Sequence, residues 1–246
     1  MSVQNKSLYF QGFGKFSGIS SSVLKIFAIL LMCVDHFSVA FFGQGVTVMR
    51  LMGRIGFPLF AFMIAEGARR TKSREKYMLR LLLFAFASEV PFDFFVSSSY
   101  FDMNYQNVFF TLFFGLFFIW CYELLKEKKL AFLSVLPGLI SCAGAAFLNA
   151  DYGATGVVCI FIFYVSAQND FLVKLLFYAL AVATLSINIT SRGIRFVDVE
   201  LLALIALIPI FLYNGKKGFK MNKYFLYAFY PAHMVILKLF AIVLSQ

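Results

Sequence analysis

Long apolar runs separated by short polar breaks repeat along almost the whole chain. A helix needs roughly 20 mostly apolar residues to cross a bilayer, and charge and turn signals mark about nine segments near that length. They fall near residues 23–43, 49–68, 77–97, 107–125, 130–149, 151–167, 171–190, 198–213 and 224–243. Only Asn149-Ala150-Asp151 separates the fifth from the sixth. With no long linker, low-complexity tract or internal repeat, residues 23–246 read as one domain and residues 1–22 as an N-terminal tail. The expected fold is all-α, a polytopic membrane bundle of about nine transmembrane helices.

Composition strengthens that picture. Of 246 residues, 61% are hydrophobic and only 14% are charged, where a soluble domain carries about 25% charged residues. The 34 Phe and 12 Tyr are packing and lipid-facing material. Cys33, Cys121, Cys142 and Cys159 lie in apolar stretches with no paired or zinc-like spacing, so no metal is expected. The first apolar run is too long for a cleaved secretory signal. Residues 8–12, LYFQG, look like the end of a protease-cleavable tag.

The net charge of +10 calls for no nucleic-acid partner, because its source is the loops. Most Lys and Arg residues sit in RRTKSREK (Arg69–Lys76), KEKK (Lys126–Lys129) and NGKKGFKMNK (Asn214–Lys223). All three fall on one side of a nine-span chain. The other side holds only Arg192 and Arg195, beside Arg50 at a helix end. Positive loops stay inside, so the N-terminus is expected in the cytoplasm and the C-terminus outside, in a multi-pass cell-membrane protein in contact with the lipid bilayer.

With that orientation, the polar residues of the apolar runs collect toward the outer half. Asp35 and His36 are adjacent in the first span, and Arg50 and Arg54 share a helix face in the second. Glu89 and Asp93 flank Pro91 at the end of the third. Gln106, Asn107 and Thr111 open the fourth, and Asp151 and Tyr152 lie in the turn Asn149–Gly156. Tyr230 and His233 straddle Pro231 in the last span. Arg54, Glu89 and Asp93 are expected to form an ionic cluster that positions the first three helices.

Ionisable groups inside a membrane are costly and usually functional, although a charge-balanced set can be purely structural. No GxSxG, P-loop, HExxH or EF-hand pattern is present. The histidines and acids suit acid–base chemistry. His36 is the candidate general base, with His233 as the runner-up and Asp35 as a further catalytic candidate. The acid orienting His36 is Asp35, Glu89 or Asp93. Arg50, Arg54, Glu89, Asp93, Gln106, Asn107, Thr111, Asp151, Tyr152 and Tyr230 are candidate substrate-binding residues. Arg54, Asn107 and Thr111 among them are candidate oxyanion donors. A proton-coupled small-solute transporter would use the same residue types, and a non-catalytic membrane assembly factor would tolerate their loss.

Five stretches carry a family resemblance. LKIFAILLMCVDHF (Leu24–Phe37), RLMGRIGFPLFAFMIAEG (Arg50–Gly67), LLLFAFASEVPFDF (Leu81–Phe94), QNVFFTLFFG (Gln106–Gly115) and FYPAHMVILKL (Phe229–Leu239) resemble, in order and spacing, the TraX family of membrane proteins. The founding member of that family acetylates conjugative F pilin. The wider set of multi-span membrane acyltransferases has an Arg, ten residues and a His in the first span. Here Lys25 takes the arginine's place eleven positions before His36. The resemblance implies a bacterial acetyl- or acyltransferase with acetyl-CoA as donor from the cytoplasm. It assigns the CoA phosphates to Lys25, Arg69, Arg70, Lys72, Arg74 and Lys76. The acceptor implied is an amine or hydroxyl of an exported peptide, pilin or glycan at the outer side.

Overall fold

The computed structural model describes residues 18–43, 45–190 and 193–245. Residues 8–12 and Arg192, both singled out in the sequence, lie outside the described residues.

Each expected segment contains helix. α1 spans Ser21–Phe42, α2 Val48–Gly53 and α3 Gly56–Arg70. α4 spans Arg74–Val96 and α5 Val108–Glu127. A 3-10 turn, Ala131–Ser134, leads into α6, Val135–Phe147, and α7 is Gly153–Val165. α8 is Phe171–Ala183. A 3-10 stretch, Asp198–Ala206, runs into α9, Leu207–Phe211, and α10 is Lys223–Leu244. Among the described residues, four helical segments are long and apolar enough to cross a membrane: Ser21–Phe42, Val48–Arg70, Val108–Glu127 and Tyr224–Leu244. Large apolar side chains such as Leu30, Phe86, Leu139 and Phe147 point outward, where lipid replaces the solvent of a soluble fold.

Local chemistry explains the boundaries. The side chains of Thr47, Ser73, Asn107 and Asn222 each accept a backbone N–H from the first turn of the helix that follows. Gly43 closes α1 at φ 74°, a conformation that costs glycine nothing.

Three details depart from the sequence reading. The regular hydrogen bonding of the second segment is interrupted at Arg54-Ile55, between two glycines, which divides it into α2 and α3 although both residues keep helical backbone angles. The seventh ends early: Ile187–Thr190 (β1) leaves the helix and pairs antiparallel with Gly193–Phe196 (β2). Ile-Asn-Ile-Thr favours the extended state, so the described residues include a two-stranded antiparallel pair beside the helices. Residues 18–22 are no detached tail. Ile19 bridges Tyr213, and Ser21 N–H and Ser22 N–H donate to the carbonyls of Lys216 and Lys217.

The bundle packs α1 against α2, α3 and α10, α4 against α5 and α10, and α7 against α3 and α5. Small residues permit the close approaches: a Cβ at Gly115 would sit 2.5 Å from Cδ1 of Ile160 on α7. Pro91 and Pro231 lie inside α4 and α10 and remove a helical hydrogen bond from each.

Candidate functional site

A cavity of about 760 Å³ runs through the bundle between α1, α3, α4, α5 and α10. Lys25, Arg70, Arg80, Lys217 and Lys220 line one end, the basic end. Asp35, His36, Asp151 and Tyr152 line the other. Between them the wall is apolar, with Phe57, Phe60, Met63, Phe109 and Leu112. Lys25 and His36 both belong to α1, and the helical rise sets them about 16 Å apart along the cavity.

The two histidines meet. His36 Nδ1 lies 2.7 Å from His233 Nε2, with the rings nearly parallel at 7°. His233 Nδ1 lies 2.9 Å from the carbonyl oxygen of Phe229, one turn earlier on α10. A carbonyl only accepts, so in the neutral pair His233 Nδ1–H donates to Phe229 O. Its Nε2 then accepts from His36 Nδ1–H, which leaves the lone pair of His36 on Nε2. The partner of His36 is thus neither Asp35 nor Glu89 nor Asp93, the acids considered from sequence. Phe95 and Tyr230 flank the His36 ring at 5.3 and 6.1 Å.

Asp35 faces elsewhere because adjacent helical side chains diverge by about 100°. Its Oδ2 accepts from Arg50 Nη1 at 2.6 Å, while buried Oδ1 has no hydrogen-bond partner. Gly53 makes room for that carboxylate, since a Cβ there would lie 2.2 Å from Asp35 Oδ1.

The expected Arg54–Glu89–Asp93 cluster does not form. Arg54 Nη1 pairs with Glu200 Oε1 at 2.8 Å. Glu89 accepts from the backbone N–H of Asn107 at 3.0 Å and from its side-chain amide. Asp93 accepts from the N–H of Asp102 at 2.8 Å. Similar depth did not mean adjacency, because α2 and α3 pack on the 198–206 segment. Sequence reading missed Glu200, although an acid beside the apolar run 201–213 was the available signal.

The other outer candidates build the turn beneath the cavity. Asn107 caps α5 and donates to Ala85 O at 2.8 Å, and Gln106 bridges Ala150. Thr111 Oγ1 donates to the carbonyl of Asp151. The expectation that Asn107 and Thr111 supply oxyanion donors is therefore corrected: both donors are already engaged. Tyr105 OH donates to Asp151 Oδ1 at 2.6 Å, and Tyr152 stacks on Phe57 at 3.8 Å with φ 63°. Tyr230 is buried against Phe109.

At the basic end the expected cations divide. Lys25 and Arg70 line the cavity. Arg69 binds Glu66 and the carbonyls of Phe163 and Tyr164. Arg74 donates to Ala68 O at 3.1 Å and approaches Glu123. Lys72 and Lys76 are exposed. Arg80, Tyr77, Lys217 and Lys220 complete the mouth, and sequence reading had not placed them there. The Ser22 hydroxyl lies 2.7 Å from the carbonyls of both Lys217 and Phe219 and draws that loop over the start of α1. Among the described residues, no group of three or more His, Cys, Asp or Glu is placed to hold a metal.

Comparison with known proteins places the chain among relatives. A probable fimbrial assembly protein, FimC of serogroup H1, from Dichelobacter nodosus is 27% identical over 238 residues, which cover 89% of this chain and 94% of that protein. No solved structure matches. The family model described as TraX protein matches residues 20–241, from the cap of α1 to the last turns of α10. That span takes in both histidines and both ends of the cavity: the chain belongs to the TraX family of membrane proteins.

Proposed function

We propose that the protein is a multi-pass acyltransferase of the bacterial cell membrane. It moves an acetyl group from cytoplasmic acetyl-CoA to an amine or hydroxyl presented at the outer side. One observation carries this reading: one cavity joins a cation-rich mouth to His36, whose ring is held by His233. The basic end faces the cytoplasm, in accord with the loop charges, and the bundle crosses the membrane about nine times.

The chemistry follows from the tautomers. His36 Nε2 takes the proton from the acceptor nitrogen or oxygen as that atom bonds to the thioester carbon. The carbon–sulfur bond then breaks, and the proton on His36 Nε2 passes to the departing thiolate. His233 holds the Nδ1–H of His36 throughout, and Phe229 O holds His233. The apolar wall keeps water from the thioester on its way to His36. The acceptor is an exported peptide, pilin or glycan. The name of the Dichelobacter nodosus relative favours a pilus subunit.

Calorimetry with acetyl-CoA on purified protein, together with a free-thiol assay for CoA release, tests the reading. Wild type binds acetyl-CoA, and His36→Ala still binds it but loses transfer by about 10²–10⁴-fold. Absence of binding, together with solute uptake in proteoliposomes, establishes a proton-coupled transporter instead. Neither activity, with His36→Ala tolerated in cells, establishes a non-catalytic assembly factor.

A further inference from the structure

Lys25 and Arg80 enter the bundle from the same end. Lys25 is the fifth residue of α1 and Arg80 the seventh of α4, about 6 and 9 Å from the helix starts. Both line the cavity inside its mouth. Among the described residues neither forms an ion pair with a carboxylate. Arg69, Arg70 and Arg74, closer to the turn between α3 and α4, all do. An arginine stays charged when buried, and unbalanced charge within a membrane is costly.

Arg80 is also held in place. Its guanidinium lies over the Tyr77 ring at 5.6 Å, and Tyr227 lines the same cavity. Its buried Nε has no hydrogen-bond partner. Two cations in one cavity, one with a spare N–H in a rigid fork, present a site for a dianion with several acceptor oxygens.

We infer that Arg80, with Lys25, binds the diphosphate of the acyl donor inside the cavity. This inference rests on the acetyl-CoA reading above and assigns the position of the donor. An extended phosphopantetheine arm covers the stretch of about 16 Å from Lys25 to His36, so a diphosphate held here delivers the thioester to the histidines. The 3′-phosphate is left at the mouth beside Lys217 and Lys220. Arg80 is a positioning residue: it sets the register of the donor and does not touch the reacting atoms.

The test compares three donors by calorimetry and by transfer rate on the purified full chain: acetyl-CoA, 3′-dephospho-acetyl-CoA and acetyl-pantetheine, which carries no phosphate. Arg80→Gln weakens the first two by about ten- to a hundredfold and leaves acetyl-pantetheine at its wild-type affinity. Arg80→Lys recovers part of the loss, Lys25→Gln shows the same donor pattern, and Lys128→Gln, in a loop outside the cavity, changes nothing. Should Arg80→Gln fail to fold, Lys25→Gln decides by the same comparison. Equal losses on all three donors, or no loss on acetyl-CoA, overturn the inference. A loss confined to full acetyl-CoA also overturns it, because the ligand of Arg80 is then the 3′-phosphate. Wild type that binds acetyl-pantetheine as tightly as acetyl-CoA overturns the diphosphate site alone, whereas wild type that binds none of the donors overturns the acetyl-CoA reading with it.

Discussion

His36 on α1 and His233 on α10 are 197 residues apart in sequence, and their ring nitrogens lie 2.7 Å apart. The Phe229 carbonyl sets the tautomer of His233, and His233 sets that of His36. This fixes different expectations for the two residues. His36→Ala removes the base. His233→Ala keeps the base but frees its ring, and misplacing a catalytic group by about 1 Å costs on the order of 10²-fold. Single-turnover transfer should therefore fall further in His36→Ala than in His233→Ala. His233→Gln, whose amide oxygen accepts from His36 Nδ1–H, should retain more activity than His233→Ala. Equal and complete loss in His233→Ala and His233→Gln would assign the base to His233.

Arg54 and Glu200 tie the α2–α3 junction to the 198–206 segment. Removing one partner of a buried pair costs about 3–5 kcal/mol, and the partial exposure of Arg54 places it at the lower end. Glu200→Ala and Arg54→Ala should both lower the melting temperature in detergent. The double change Arg54→Met with Glu200→Met should recover much of the loss, because it leaves no unpaired charge. An Arg54→Ala protein of wild-type stability that has lost only activity would make Arg54 a direct substrate ligand.

Gly53 lies against Asp35 so closely that a Cβ would be 2.4 Å from Asp35 Cβ. Gly53→Ala forces α1 and α2 apart or swings Asp35 off Arg50, at a cost of about 1–3 kcal/mol. Thermal unfolding should show the loss. Gly45→Ala, where a Cβ meets nothing within 4 Å, should unfold like wild type.

The loop at 214–222 reports orientation. With the basic end in the cytoplasm, a cysteine placed at Lys216, which is exposed, reacts with an impermeant thiol reagent only after cells are permeabilised. Labelling in intact cells would reverse the topology and place the mouth of the cavity outside.

The sequence by itself determined the membrane class, the approximate limits of the helical segments and the chemistry-bearing residues. Apolar run length, capping residues and loop charge are local properties that lipid and water select directly. Asp35, His36 and Tyr152 could be singled out because polar residues are conspicuous in apolar runs, Lys25 only through the family resemblance, and all four line the cavity. Which of them meet was decided only by the tertiary structure. Depth along a helix is legible in one dimension, but the direction a side chain faces depends on how neighbouring helices are rotated and ordered. Depth therefore suggested Arg54 with Glu89 and Asp93, whereas packing paired Arg54 with Glu200. It also turned Asp35 to Arg50, took Asn107 and Thr111 for the turn beneath the cavity, and brought His36 to His233. Arg80 read as one more inner positive charge until the packing of α4 in the bundle set its guanidinium over Tyr77 in the cavity wall.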